Sequence, residues 1–307
     1  MNIFFRFLRA LFTVWVIVSL VFIALRATGD PVLAVFNPDD TTQAALDAYR
    51  IQWGYTGTIF EQYVVYVKNI FHGNFGISNQ SNRDAFEVVL ERIPATLQLV
   101  SLSSLLMFLI AVPIGSIAAA NAGGRIDRVI MAGSTIGFAF PNFVLGLALI
   151  MVFSVMLKLL PSNGIGTPRH LIMPVLTIGI SQAAIFTRFV RSAILDALKL
   201  SCVTSARARG LPESRILLRH VLPNAMLPLV TIAPLLVGAM IGAGTVVESV
   251  FGWPGIGRLI VDTVAQRDLA VLQVIIMLVA IVMISTNLIV DLTYSKLDPR
   301  TTAAKGS

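Results

Sequence analysis

The residues able to do chemistry are few and mostly isolated. His72, His170 and His220 are followed by Gly, Leu and Val, so the His-Glu-x-x-His spacing that sets two imidazoles around a metal is absent. The lysines precede Asn69, Leu159, Leu200, Leu297 and Gly306, and none has the following hydroxyl that a phosphate-binding loop uses to hold magnesium. Ser101, Ser103 and Ser104 have no histidine or lysine nearby in sequence to act as base, and read as hydroxyls for helix packing. The single cysteine, Cys202, excludes an intrachain disulfide. No catalytic residue, metal site or nucleotide site of the Walker type is expected.

One cluster stands apart. SARARGLPESRILLRHVLPNAMLP (205–228) gathers Arg207, Arg209, Arg215, Arg219 and His220 between two apolar segments. Gly210 is a natural helix stop and Pro212 suits a first helical turn. The spacing predicts one helix over Ala197–Arg209 and a second over Glu213–Val221, limited by Pro223. Arg215 and Arg219 fall on one side of the second helix, with Ile216, Leu217 and Val221 on others. A short amphipathic helix of this kind is a handle by which another protein could push on the adjoining segments. The same charges also fit the excess of basic residues on the inner side of membranes, or contact with anionic head groups. Nucleic-acid binding has no support, because no aromatic residues interleave with the basic ones.

The elements that must carry this cluster are membrane helices. Of the 307 residues, 56% are hydrophobic and only 13% charged, too few charges to cover a soluble domain of this length. Six apolar runs are long enough to span a bilayer, near Ala10–Leu25, Ala95–Ala120, Val129–Leu157, Leu171–Leu195, Ala225–Val247 and Ala270–Tyr294. The residues after the first run, RATGDP, lack a small-x-small cleavage site, so that run is expected to stay as a helix. With the N-terminus inside, the inner segments hold most of the Lys and Arg, which puts both termini on the cytoplasmic face.

The expected fold is all-α, polytopic, with six transmembrane helices, a small outer helical insert and a short cytoplasmic helix, which the resemblance given below implies to be a periplasmic insert and a coupling helix. Residues 1–28 form the N-terminal segment and first span, and 29–94 the insert. Residues 95–294 form a five-helix core that includes the segment 196–224, and 295–307 a tail. Within the insert, ALDAYRIQW and FEQYVVYVKNIF have helical spacing and HGNFGISNQSNRD is turn-rich. A second outer insert, ESVFGWPGIGRLIVDTVAQRD (248–268), has Phe251, Trp253 and Ile256 in position to dip back toward the membrane. Its Arg258 and Asp262, one turn apart, can pair with each other or touch a partner. The spans are punctuated by Pro113, Gly115, Gly137, Pro141, Pro174, Gly179, Pro228 and Pro234, which suits either close helix packing or a bundle that rocks. Neutral polar residues inside the spans are candidates for a solute path: Gln98, Ser101, Asn142, Ser181, Gln182, Thr231 and Asn287. Mid-span positions are otherwise neutral, which disfavours an ion-coupled carrier. Arg188, Arg191 and Asp291 fall near inner ends, where they can reach head groups or pair with one another.

The chain resembles permeases of binding-protein-dependent ABC importers, in the dipeptide/oligopeptide/nickel group. Those permeases carry a cytoplasmic signature whose last Ala, Gly and Leu-Pro are matched in spacing by Ala206, Gly210, Leu222 and Pro223. Thr204 and Ser205 replace the signature's Glu-Ala, and Cys202 and Thr204 replace the Tyr and Arg usual in the group. Further group-like stretches are TGDP (28–31), HGNFGIS (72–78), ERIPATLQL (91–99), PNFVLG (141–146), VVESVFGWPGIGRL (246–259) and NLIVDLTYSKLDPR (287–300). The resemblance implies a half-channel of the type I importer fold that pairs with a second, homologous permease. It implies docking to one or two ATPase subunits, which hold ATP and magnesium, and delivery of cargo by a periplasmic binding protein. Peptides are the implied cargo, with nickel chelates, glutathione, opines or oligosaccharides as alternatives. The implied coupling residues are Ala206, Arg207, Arg209, Gly210, Leu211, Pro212, Glu213, Arg215, Arg219, Leu222 and Pro223. The other surroundings implied are membrane lipid and the bacterial inner membrane; no cofactor is held in this chain.

Overall fold

The TIFE run at 58–61 shows how local sequence starts an element here. The Thr58 hydroxyl accepts from the Glu61 backbone N–H, and the Glu61 carboxylate accepts from the Thr58 N–H at 2.7 Å, a reciprocal cap for the helix Ile59–Phe71. The computed structural model describes residues 3–27, 32, 42–52 and 56–297. The TGDP stretch and the tail from residue 298 lie outside the described residues, as do the side chains from residue 286 onward.

In chain order the helices are α1 (Ile3–Ala27), α2 (Gln43–Gln52), α3 (Ile59–Phe71), α4 (Ala85–Leu90) and α5 (Ile93–Ala120). Next come α6 (Arg125–Ala139), α7 (Asn142–Leu149), which widens into a π-helical stretch over Ile150–Met156, and α8 (Arg169–Leu198). Last come α9 (Ser201–Ala208), α10 (Glu213–Ile216) with a π-helical turn over Leu217–Val221, α11 (Leu222–Val250), α12 (Ile256–Ala265) and α13 (Leu269–Leu297). Among the described residues the β-structure is a single isolated bridge, Ile77 to Asp84, inside the turn-rich stretch. Among the described residues three helical runs are long and apolar enough to cross a bilayer: Ala85–Ala120, Arg169–Leu198 and Glu213–Val250. The pair α6–α7 makes a fourth if it is counted as one span.

The chain divides into two compact units, Met1–Pro94 with Arg258–Leu288, and Ala95–Gly257 with Ile289–Ser307. In the first unit, Phe22 of α1 packs against Tyr63 and Tyr66 of α3, with ring centroids 5.2 and 5.3 Å apart, and Ser19 and Tyr63 share a hydrogen bond of 2.7 Å. Asp268 is buried at the start of α13, where it accepts from the Ser78 hydroxyl at 2.6 Å and from the Val271 N–H. One carboxylate thus caps a helix and ties down the turn-rich stretch.

The second unit is arranged around α8. Met173, Ile178, Ala183, Phe186, Val190 and Ile194 run down its buried face into one apolar core with Leu99, Met107 and Ala111 of α5 and Leu229, Met240 and Val247 of α11. Gly115 lets α5 lie against α8: a Cβ there would come within 2.7 Å of Val190 Cβ and 2.8 Å of the Thr187 carbonyl oxygen. This is the small-residue contact by which membrane helices gain dispersion energy where lipid offers no hydrophobic drive. Pro113, Pro174, Pro228 and Pro234 all lie inside helices, as expected.

Four expectations need correction. Val129–Leu157 is not one straight span, because the chain turns by 95° between α6 and α7. Phe140, held extended (φ −76°, ψ 125°) as residues before proline prefer, ends α6, and Pro141 leads into α7. The helix expected over Ala197–Arg209 is split, since α8 closes at Leu198 and the extended Leu200 (φ −65°, ψ 144°) restarts the chain as α9. Pro223 does not end its helix. It sits in the first turn of α11, directly after the π-helical turn, where a missing N–H is tolerated, and Asn224 Nδ2 donates to the His220 carbonyl oxygen at 2.6 Å. Finally, Glu248 belongs to α11 and is buried, rather than opening an outer insert.

Candidate functional site

The basic cluster occupies α9, the turn after it and α10. Gly210 has φ +73°, the left-handed conformation that side chains resist, and its N–H reaches the Arg207 carbonyl oxygen at 2.9 Å while the Leu211 N–H reaches that of Ala206 at 3.3 Å. This is the paired-bond ending that glycine gives a helix. Across the turn Arg207 grips Glu213 with two hydrogen bonds, Nε to Oε1 at 2.7 Å and Nη2 to Oε2 at 3.0 Å. The two short helices are therefore clamped together by a bidentate pair.

The segment is two-faced. Val203, Ala206, Ile216 and Val221 are buried in the same apolar core as α8 and α11. Arg209, Arg215 and Arg219 are exposed, as are Pro212, Leu217, Leu218 and Pro223, while Leu211 and Leu222 are half-buried. The apolar side roots the segment in the bundle, and the exposed side presents arginines interleaved with leucines. Of the residues implied as coupling contacts, Arg207 and Glu213 are engaged with each other, whereas Ala206 supports from beneath.

Two polar arrangements were not foreseen from sequence. Asp127 at the start of α6 is buried and meets Arg191 of α8 through two bonds, Nε to Oδ1 at 2.5 Å and Nη2 to Oδ2 at 2.6 Å, while the Gly123 N–H donates to Oδ2 at 2.8 Å. Arg191 thus finds its acid on α6, where sequence had offered Asp291. The signal was the acid in GGRIDR, one residue before a basic one and easily read as loop charge. The second arrangement is around Glu248, which accepts from the Thr96 hydroxyl at 2.8 Å. Thr96 Oγ1 in turn accepts from the Ile256 N–H at 2.8 Å, and Trp253 Nε1 donates to the Ala95 carbonyl oxygen at 2.9 Å. Phe251, Trp253 and Ile256 are all buried, so the apolar residues of FGWPGIG do fold inward. The Glu-x₆-Gly spacing could have flagged this: a Cβ on Gly255 would collide with the Glu248 carboxylate unless that side chain shifted. Arg258 and Asp262 approach each other at 3.6 Å.

The solute-path candidates scatter. Gln98 and Ser101 are exposed on α5, with the Ser101 hydroxyl donating to its own helix at the Leu97 carbonyl oxygen. Asn142 and Thr231 are half-buried, and Thr231 likewise donates to the Leu227 carbonyl oxygen. Ser181 and Gln182 are buried on α8, and Ser181 Oγ and Gln182 Oε1 find no hydrogen-bond partner among the described residues. Ser103, which sequence read as a packing hydroxyl, is in the same position. The side chain of Asn287 lies outside those described. Among the described residues no cluster of three or more His, Cys, Asp or Glu could hold a metal.

Comparison with known proteins gives this architecture its context. Residues 111–303 match the family described as binding-protein-dependent transport system inner membrane component. The glutathione transport system permease protein GsiC of Escherichia coli (strain K12) is 37% identical over 295 residues, 96% of each chain. The oligopeptide transport system permease protein AppB of Bacillus subtilis (strain 168) is 36% identical over 296 residues, 92% of this chain and 93% of that one. The fold resembles an inward-facing structure of the MetNI methionine ABC transporter, with TM-score 0.60 and 19% identity over 69% of this chain and 96% of the other. It also resembles a chain of an amino acid ABC transporter crystallised with histidines, with TM-score 0.54 and 16% identity over 68% and 94%. With relatives similar over nearly its whole length and the family match running from α5 to the tail, the chain belongs to the binding-protein-dependent transport system inner membrane components, and is a permease subunit of an ABC importer.

Proposed function

We propose that this permease forms half of a translocation pathway for peptides or peptide-like solutes, driven by ATPase subunits that dock on α9 and α10. The observation that carries the docking reading is the two-faced segment: Val203, Ala206, Ile216 and Val221 root it in the core while Arg209, Arg215, Arg219 and Leu218 project outward. A partner pressing on that face would move α8 and α11 together, since the segment joins them directly. ATP and magnesium belong to the partner, since no lysine here precedes a Ser or Thr. The peptide class rests on similarity to permeases named for glutathione and oligopeptides, both of which carry amide backbones and carboxylates. Buried Ser181 and Gln182 are groups that such amides could meet when the bundle opens.

The reading includes six spans, with α1, α5, α6–α7, α8, α11 and α13 each crossing once. It places residues 29–94 in the periplasm, the core at 95–294, and both termini with the 196–224 segment in the cytoplasm. A second permease completes the channel, membrane lipid surrounds it, and a periplasmic binding protein delivers cargo. Capture of the tagged chain from its native membrane in mild detergent tests the assembly: a second permease and Walker-bearing chains with ATPase activity should co-purify. A lone chain that still moves solute in liposomes would overturn it. For the docking face, the double change Arg215→Glu/Arg219→Glu should abolish uptake and ATPase co-purification while membrane insertion persists. Uptake that survives the change would remove the coupling role from these residues.

A further inference from the structure

We propose that a cavity between α6 and α8 is a binding site for an anionic phospholipid. The cavity, about 460 Å³, is lined by Met131 and Phe138 of α6 and by Ile185, Arg188, Phe189, Arg191 and Ser192 of α8. Its two arginines differ. Arg191 is neutralised by buried Asp127, whereas Arg188 is exposed and has no ion-pair partner among the described residues. The cavity therefore carries one net positive charge between two phenylalanines, a methionine and an isoleucine.

That composition selects its ligand. A guanidinium on a membrane helix calls for an anion or water, because an unpaired charge among hydrocarbon is costly. Its planar fork matches two oxygens of a phosphate. The apolar walls need a hydrocarbon body beside that phosphate, and the Ser192 hydroxyl supplies a further donor. Basic pockets between membrane helices near the inner leaflet are where anionic head groups settle. Arg188 lies about 15 Å along the helix from the end of α8, and Arg128 sits one turn before Met131, so a second cation stands beyond the cavity on the side of α6's start. The choice of the inner leaflet rests on the orientation proposed above; the affinity for an anionic lipid does not.

The test uses the permease captured with its native partners, stripped of loosely held lipid, and titrated with phosphatidylglycerol or phosphatidylcholine while thermal stability is followed. Wild type should be stabilised by phosphatidylglycerol in preference to phosphatidylcholine. Arg188→Gln should raise the half-saturating phosphatidylglycerol about five-fold, the effect of one lost charge contact, while Arg188→Lys should stay close to wild type. Met131→Trp, which fills the cavity but keeps the charge, should also weaken phosphatidylglycerol binding, and it carries the test if Arg188→Gln does not fold. Equal stabilisation by the two lipids, or Gln and Trp variants that titrate like wild type, would overturn the proposal. So would Arg188→Gln leaving the lipid titration unmoved while lowering peptide uptake, which would give the arginine to the solute path. The lipid titrations read out on the permease whether or not ATPases co-purify, so this inference and the importer reading fail separately.

Discussion

Thr96 carries two buried hydrogen bonds through one oxygen, donating to Glu248 and accepting from the Ile256 N–H. Thr96→Val keeps the shape and removes both, so the buried Glu248 carboxylate loses one donor and the buried Ile256 amide loses its acceptor. The expected cost is about 1–3 kcal/mol, visible as a lower thermal midpoint in detergent, and Thr96→Ser should restore most of it. Equal midpoints for Val and wild type would mean that water or other groups satisfy both. The glycines give a sharper contrast at the same scale. A Cβ on Gly257 would lie 2.4 Å from Thr245 Cα, a backbone atom that no rotamer change can move, so Gly257→Ala should cut the yield of folded protein sharply. Gly238, inside α11 with nothing within 4 Å, should accept Ala and gain about 0.5–1 kcal/mol from helix propensity. The histidine and lysine spacings were legible at this scale, since they are read directly from the sequence. The buried acids were not: Asp127 and Glu248 look like ordinary polar punctuation until the partner helices, 64 and 152 residues away, bring Arg191 and Thr96 against them.

At the scale of elements, the Asp127–Arg191 pair is the one charged bolt described between α6 and α8. Asp127→Asn and Arg191→Gln should each destabilise, since each strands the other partner. The exchange Asp127→Arg/Arg191→Asp should recover part of the loss, though not all, because Gly123 donates to an acid at position 127. An exchange no better than the single changes would show that the pair matters only for its surroundings. On α3, hydrogen bonds from the Thr58 backbone N–H and then the Thr58 hydroxyl hold the Glu61 carboxyl below the usual carboxylate range. A lowered carboxylate stabilises the folded form above its unfolded pKa, and that contribution fades as pH falls through the lowered value. Amide exchange at the start of α3, corrected for intrinsic rates, should therefore rise in acid, and Glu61→Gln should flatten the response. Most helices were legible from apolar runs and caps, and Gly210 was read correctly as a stop. What sequence could not supply was how neighbouring turns share hydrogen bonds. Leu200 breaks a run that looks continuous, and the π-helical turn at Leu217–Val221 carries the chain past Pro223.

For the molecule as a whole, Cys202 is an unplanned reporter. It is the only cysteine in the chain and is exposed on α9, next to the arginine face. A membrane-impermeant maleimide should label it in inside-out vesicles and not in intact cells, and bound ATPase should slow the labelling. Labelling from the outside would reverse the proposed orientation, and labelling indifferent to the ATPase would move the docking face elsewhere.

The 95° turn at Pro141 bears on how the protein is made. At about 1.5 Å per residue, α6 with its 15 residues reaches only about 22 Å, short of a hydrocarbon layer of roughly 30 Å, and α7 with its π-helical stretch reaches no further. Neither arm is long enough alone to be a finished span, and the contacts that hold the bent pair, Ala184 to Gly137 and Arg191 to Asp127, come from α8, the next helix in the chain. We expect stable insertion of this region to need α8, so a nascent chain halted before residue 169 should remain a substrate for quality-control proteolysis, whereas one halted after residue 198 should not.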